Sequence, residues 1–280
     1  MSAGEGLRTE RLARAGALLR RRGDPAGAEP LLRAALAATE QAYPRDPARL
    51  AHALNELGLV CKDLARYDEA RALYERALRL LLEAPGSQPG DIATLQHNLG
   101  GIEHARGDSV AGEPHARSGL ALRLASGEGN GPALAADMIA LGAILDARGE
   151  YAEAERLYLD GLAILEGDPD AHAPEIAVAL NDLGASYAQR GMLSDAVAML
   201  DRAAALKRRV LGPRHHELAV TLNNLAVVHE RRGDHKHAAA LYAEAVSILE
   251  RSLGSAHPRT VSCRANEARC SAAADASTAG

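Results

Sequence analysis

Ala53-Leu54-Asn55-Glu56-Leu57-Gly58 decides the reading of this chain, because it returns five more times at one spacing. Its echoes are Gln96-His97-Asn98-Leu99-Gly100, Met138-Ile139-Ala140-Leu141-Gly142, Leu180-Asn181-Asp182-Leu183-Gly184 and Leu222-Asn223-Asn224-Leu225-Ala226, with a degenerate first copy at Leu12-Ala13-Arg14-Ala15-Gly16. The small residue that closes each copy falls at 16, 58, 100, 142, 184 and 226, so every step is 42 residues. Six copies in register specify a solenoid, in which each unit buries its apolar face only against its neighbours. A chain of 280 residues would otherwise suggest one or two ordinary domains.

The composition fits that architecture. Hydrophobic residues make up 47% of the chain, yet there is no Phe, no Trp and only seven Tyr. Such a core is built from Ala and Leu at close helix–helix approach. The net charge of −5 is spread without blocks. Arg20-Arg21-Arg22 and Lys207-Arg208-Arg209 stand near predicted helix ends, where cations offset the helix dipole. Neither forms the clustered basic stripe that nucleic-acid binding requires, so no nucleic-acid partner is expected. Cys61, Cys263 and Cys270 are an odd, scattered set. Cys263 and Cys270 lie about 10 Å apart by helical rise, beyond disulfide reach, and a reducing compartment suits them. Residues 1–16 carry no apolar signal core, and no run approaches the roughly 18–20 residues of a membrane span. These features predict a cytoplasmic protein with no membrane partner.

Helical periodicity divides the chain into repeats at about 9–47, 48–90, 91–132, 133–173, 174–216 and 217–257. In the second, one helix places Leu50, Leu54, Leu57, Gly58 and Cys61 inward. The other, over about Tyr67–Glu83, places Ala70, Leu73, Tyr74, Ala77, Leu78 and Leu81 inward. The third repeat is the weak one. Gly112, Pro114 and Gly119 fall inside its second helix, where Pro costs about 3 kcal/mol and Gly about 1 kcal/mol. A late start or a kink is expected there, as at Pro30 in the first repeat. The segment Ser126-Gly127-Glu128-Gly129-Asn130-Gly131-Pro132 has the most flexible composition and predicts a soft joint. A lone helix over 258–272 reads as a cap on the array. Residues 1–8 and 273–280 read as flexible termini.

With Gly58 counted as position 8, Leu54 stands at position 4, Leu57 at 7, Ala70 at 20, Tyr74 at 24 and Ala77 at 27. These slots resemble the tetratricopeptide repeat. Small residues at 8, 20 and 27 let the two helices approach, and larger ones at 4, 7 and 24 fill the gaps. Position 4 holds Leu, Gln or Met rather than the Trp common in the family. The 42-residue period and the turns Leu211-Gly212-Pro213-Arg214-His215-His216 and Leu253-Gly254-Ser255-Ala256-His257-Pro258 resemble the kinesin-light-chain type and similar bacterial arrays. The Ala- and Arg-rich bias fits a high-GC bacterial source. The resemblance covers about residues 9–272. It implies an all-α, right-handed superhelical solenoid of six helix pairs plus a capping helix, whose concave groove binds a peptide or partner protein.

In that fold the groove is lined by the first helix of each pair, at positions 2, 5, 9, 12 and 13. Position 5 holds Ala13, Asn55, His97, Ile139, Asn181 and Asn223. An Asn carboxamide donates and accepts, so Asn55, Asn181 and Asn223 could hold an extended peptide backbone; equally, they could bond between repeats as spacers. Position 12 holds Arg20, Lys62, His104, Asp146, Ala188 and Glu230, a run from basic to acidic, with Arg231 beside it. Such a groove could orient a peptide by charge; equally, the run could be a solvated mixed surface. The grip is expected in repeats five and six. His215-His216-Glu217 and the His235/His237 pair do not form a zinc ligand set, and no C-x-x-C occurs, so no metal or cofactor is expected. No nucleophile, base and orienter converge, so the chain reads as a scaffold rather than an enzyme. A sensor that tightens on a ligand is the alternative, and a self-assembling array a third. The short ends leave no room for an output domain, which favours the scaffold. Partner identity and oligomeric state are not fixed by the sequence.

Overall fold

The computed structural model describes the backbone of residues 3–127 and 131–278, with side chains for residues 7–127 and 131–273. Every regular element among them is an α-helix: α1 (Ala3–Arg21), α2 (Pro25–Ala42), α3 (Pro47–Asp63), α4 (Tyr67–Glu83), α5 (Pro89–Ala105), α6 (Ser109–Ala125), α7 (Pro132–Ala147), α8 (Tyr151–Leu165), α9 (Ala173–Gln189), α10 (Leu193–Val210), α11 (His216–Arg231), α12 (His235–Ser252) and α13 (Pro258–Thr278). Helix therefore extends into both stretches read from composition as flexible ends. The expected soft joint includes residues 128–130, which lie outside the described residues.

The chain divides into two compact units, Met1–Leu157 and Tyr158–Gly280, with the boundary inside α8. Within the first, successive helices from α1 to α7 pack in order; within the second, α9 to α13 do the same. This is the helix-pair packing of an α-solenoid.

Position 8 explains the first, second and fifth pairs. A Cβ on Gly58 would lie 2.4 Å from the Tyr74 ring, on Gly16 2.6 Å from Leu32, and on Gly184 2.8 Å from Leu200. The small residue of one helix is thus a socket for the large residue at position 24 of its mate. Tyr74, Leu200 and Tyr242 are fully buried.

The third pair is built differently. Position 24 holds Ala116, so no knob keeps α5 and α6 apart. The backbones close up until a Cβ on Gly112 would stand 2.9 Å from the Gly100 carbonyl oxygen, and one on Gly119 3.0 Å from that of Ala93. Gly112 and Gly119 are therefore the packing surface of this pair. No late start occurs: α6 begins at Ser109 and continues through Pro114, capped by Asp108, whose Oδ1 accepts from the Ala111 N–H at 2.9 Å. Pro114 and Pro30 are each the sixth residue of their helix and both are exposed. Pro has no N–H for the carbonyl four residues back, here Val110 and Ala26, both of them exposed residues.

The turns within pairs close at Gly23, Gly107, Gly149, Gly191 and Gly233, all at positive φ; Ala65 takes the same slot at φ 59°. An L-residue with a Cβ is strained there. Ion pairs between residues 36 apart mark the outer surface: Arg33–Glu69 at 2.6 Å, Arg117–Glu153 at 3.1 Å, Arg202–Glu166 at 2.6 Å and Arg208–Glu244 at 2.9 Å. Exposed pairs of this kind contribute about 0–1 kcal/mol each, so they set register more than stability.

Candidate functional site

The Asn row is a set of bonds between repeats. Asn98 Nδ2 donates to Asn55 Oδ1 at 2.6 Å, Asn224 Nδ2 to Asn181 Oδ1 at 3.1 Å, and Asn266 Nδ2 to Asn223 Oδ1 at 3.2 Å. Each bond spans 43 residues, from position 6 of one repeat back to position 5 of the one before it. Asn181 is buried and spent: its Oδ1 also accepts from Thr221 Oγ1 at 3.0 Å, and its Nδ2 donates to Asp182 at 2.9 Å. Asn55 and Asn223 are half-buried, and their carboxamide N–H groups make no hydrogen bond among the described residues.

In the first unit, α5 places His97, Gly101 and His104 on one face, since residues four and seven apart share a helix side. A Cβ on Gly101 would meet only Lys62 Nζ of α3, at 3.4 Å, so the helix backbone is uncovered there apart from that ammonium. His97 Nδ1 lies 3.0 Å from Asp137 Oδ1 on α7. The buried Asp137 also accepts from Arg123 Nε at 2.7 Å, and Arg123 reaches the Gly90 carbonyl and Thr94 Oγ1. A carboxylate only accepts, so His97 donates to Asp137 through Nδ1–H. His104 Nδ1 lies 3.0 Å from Ser109 Oγ; burial, then the Lys62 charge, lower its pKa, while Asp146 opposes them. Asn55, Lys62, His97 and His104 thus give a half-buried polar surface on two successive first helices.

Glu230 and Arg231, in the second unit, are engaged within the array. The Glu230 carboxylate accepts from Tyr242 Oη at 3.0 Å and from Arg269 Nε and Nη2 at 3.1 and 3.0 Å. The Arg269 hydrogen bonds lower its pKa, against the effect of burial. Arg231 donates to the Ala188 carbonyl. The acidic end of the position-12 run is therefore balanced by an Arg of α13, 39 residues on.

The histidines of the turns fall into two kinds. His215 and His257 are buried caps, each accepting through Nδ1 from the N–H two residues on, Glu217 and Arg259, at 3.2 Å. Behind His215, buried Lys207 reaches Glu217 at 3.4 Å; burial opposes ionisation of Glu217, but Lys207, His216 and Arg259 hold its carboxyl far below the usual range. The second kind is a cluster not legible as a spacing: His229, Asp234 and His237 bring their ligand atoms within 4.8 Å of one another. The sequence singled out His235 and His237; folding sets His237 beside His229 instead. The three cysteines are buried and unbridged, and burial pushes the Cys61 and Cys263 thiols up to about 11.

Comparison with known proteins places this geometry. The tetratricopeptide repeat family profile matches residues 8–83, 91–167 and 175–251. No curated protein matches the chain by sequence. Among solved structures, BtubC (BKLC) from P. vanneervenii is similar at TM-score 0.59 and 18% identity over 92% of this chain and 95% of that one. A putative kinesin light chain with nearly identical TPR-like repeats from Podosopora anserina gives TM-score 0.53 and 20% identity over 74% and 98%. A Rap protein complexed with competence and sporulation factor gives 0.66 and 16% over 94% and 76%. Among the described residues, no helix is long and apolar enough to cross a membrane.

Proposed function

The chain belongs to the tetratricopeptide repeat family, and from that premise we propose that it is a non-enzymatic scaffold that holds an extended segment of a partner protein along its first helices. The observation that carries this reading is the glycine-floored surface of α3 and α5, where Lys62 and the His97 and His104 imidazoles flank the uncovered backbone at Gly101. An ammonium, imidazole nitrogens and the Asn55 carboxamide suit a segment bearing carboxylates and open backbone groups. The grip then lies in repeats two and three. In repeats five and six, Asn181, Glu230 and Arg231 are occupied by neighbouring repeats, and Asn223 alone keeps donors to offer. A cytoplasmic setting is part of the same reading.

The test is affinity capture from native lysate with the full chain, followed by titration of the captured segment. Lys62→Glu should weaken binding at least tenfold with melting temperature held within about 2 °C. Undiminished binding by Lys62→Glu, together with loss on Arg71→Glu of the outer surface, would overturn the groove.

A second reading is a ligand-responsive module. It is favoured by an apolar cavity of about 320 Å³ between α1, α2 and α3, lined by Ala13, Leu32, Ala35, Tyr43 and His52, and by the likeness to the Rap protein complexed with competence and sporulation factor.

A further inference from the structure

The turn from α11 to α12 carries a cluster that the peptide-binding reading does not use. His229 stands in the last turn of α11, Asp234 caps α12, and His237 stands in the first turn of α12. The cap uses only one carboxylate oxygen: Asp234 Oδ1 accepts from the His237 N–H at 3.2 Å. Oδ2 is turned to the imidazole, 3.7 Å from His229 Nδ1. The two rings stack with centroids 4.3 Å apart and planes 22° apart. Two stacked imidazolium ions would repel, so the arrangement favours rings with lone pairs.

We propose that His229, Asp234 and His237 form a binding site for one divalent transition-metal ion of the zinc class. Two imidazoles and a carboxylate are the donors such ions take. Ligand atoms around a tetrahedral ion with bonds of about 2.1 Å stand about 3.4 Å apart. The 3.7 Å separation of His229 Nδ1 and Asp234 Oδ2 needs only a small closing movement, whereas the exposed His237 ring must turn out of the stack before its lone pair and that of His229 meet at one ion. His229 is held by the end of α11, with 13% of its side chain exposed, and Asp234 is more than half exposed. The ion would be anchored on one side and open to solvent on the other. Three protein donors leave at least one coordination position for water or for a donor from a second molecule. The neighbouring charges divide: Arg232 opposes a cation here and Asp201 favours one.

Isothermal titration of the metal-stripped full chain with zinc chloride tests the site. We expect one ion per chain with a dissociation constant in the micromolar range or tighter. His237→Ala, an exposed change, should weaken it at least thirtyfold. Asp234→Asn keeps an N-cap and removes the charge, so it should weaken zinc about tenfold with melting temperature unchanged. His115→Ala, in the other unit, should leave binding as it is. No zinc binding up to 100 μM, or an affinity that His237→Ala changes less than threefold, would overturn the proposal.

Discussion

The second and third helix pairs solve one packing problem in opposite ways. In α3/α4 a Tyr ring drops into the socket of Gly58, and side chains set the distance between helices. In α5/α6 the large residue is replaced by Ala116, glycines stand at 100, 112 and 119, and backbones set the distance. The first solution is apolar, and the Arg20–Asp63 pair, which joins α1 to α3 at 2.8 Å, is partly solvated. The second draws a charged group inward: Arg123 and Asp137 are both buried and bonded to each other. The second pair carries its strain in the turn, at Ala65, where the third has Gly107. Low intrinsic helix propensity in a repeat is therefore compatible with an unbroken helix when the missing Cβ atoms are what the neighbour requires.

Breaking that comparison begins with the buried charge. Asp137→Ala takes the carboxylate from buried Arg123, which keeps only the Gly90 carbonyl and Thr94 Oγ1 of the bonds given above, and should cost about 3 kcal/mol in urea unfolding, whereas Asp63→Ala, in a partly exposed pair, should cost about 1 kcal/mol or less. Equal costs would remove the distinction between the two pairs. Next come two adjacent glycines with opposite expected signs. A Cβ on Gly100 meets the backbone of Ala116 and Gly112 at 3.1 Å, so Gly100→Ala should destabilise by about 1–3 kcal/mol. Gly101→Ala meets only the Lys62 amine and should stabilise by up to about 1 kcal/mol through helix propensity. Thermal unfolding of the two variants decides whether close approach or propensity governs α5. The smallest effect sharpens the turn: Ala65→Gly should raise stability by up to about 1 kcal/mol, and a loss would show that the turn is not strained.

Much of this architecture is legible in the sequence because the repeat fixes which residues meet. Leu54, Leu57, Gly58, Ala70 and Tyr74 declare the α3/α4 pair by spacing alone, and Tyr67–Glu83 is read to its ends. Pattern fails where the partner decides the residue's worth. Gly112 and Pro114 look like helix breakers until Gly112 is seen packed on the Gly100 carbonyl and Pro114 exposed in the second turn of α6. The alternation of Asn55, Asn181 and Asn223 is plain in the sequence, but their bonds go to position 6 of the next repeat, one step beyond the column that was read. His237 is visible as one of a pair, yet its ring neighbour is His229, across a helix end and a turn. Periodicity assigns faces; it does not assign which polar atoms on a face are already taken.

The 43-residue bonds of the Asn row have a consequence for how the chain comes to be folded. No hydrogen bond described above joins residues further apart than that. Each polar group meets its partners within little more than one repeat of chain, so loop closure costs little entropy at any step. A nascent chain can close one helix pair and dock the next as it leaves the ribosome, without holding a long apolar stretch open for a distant mate.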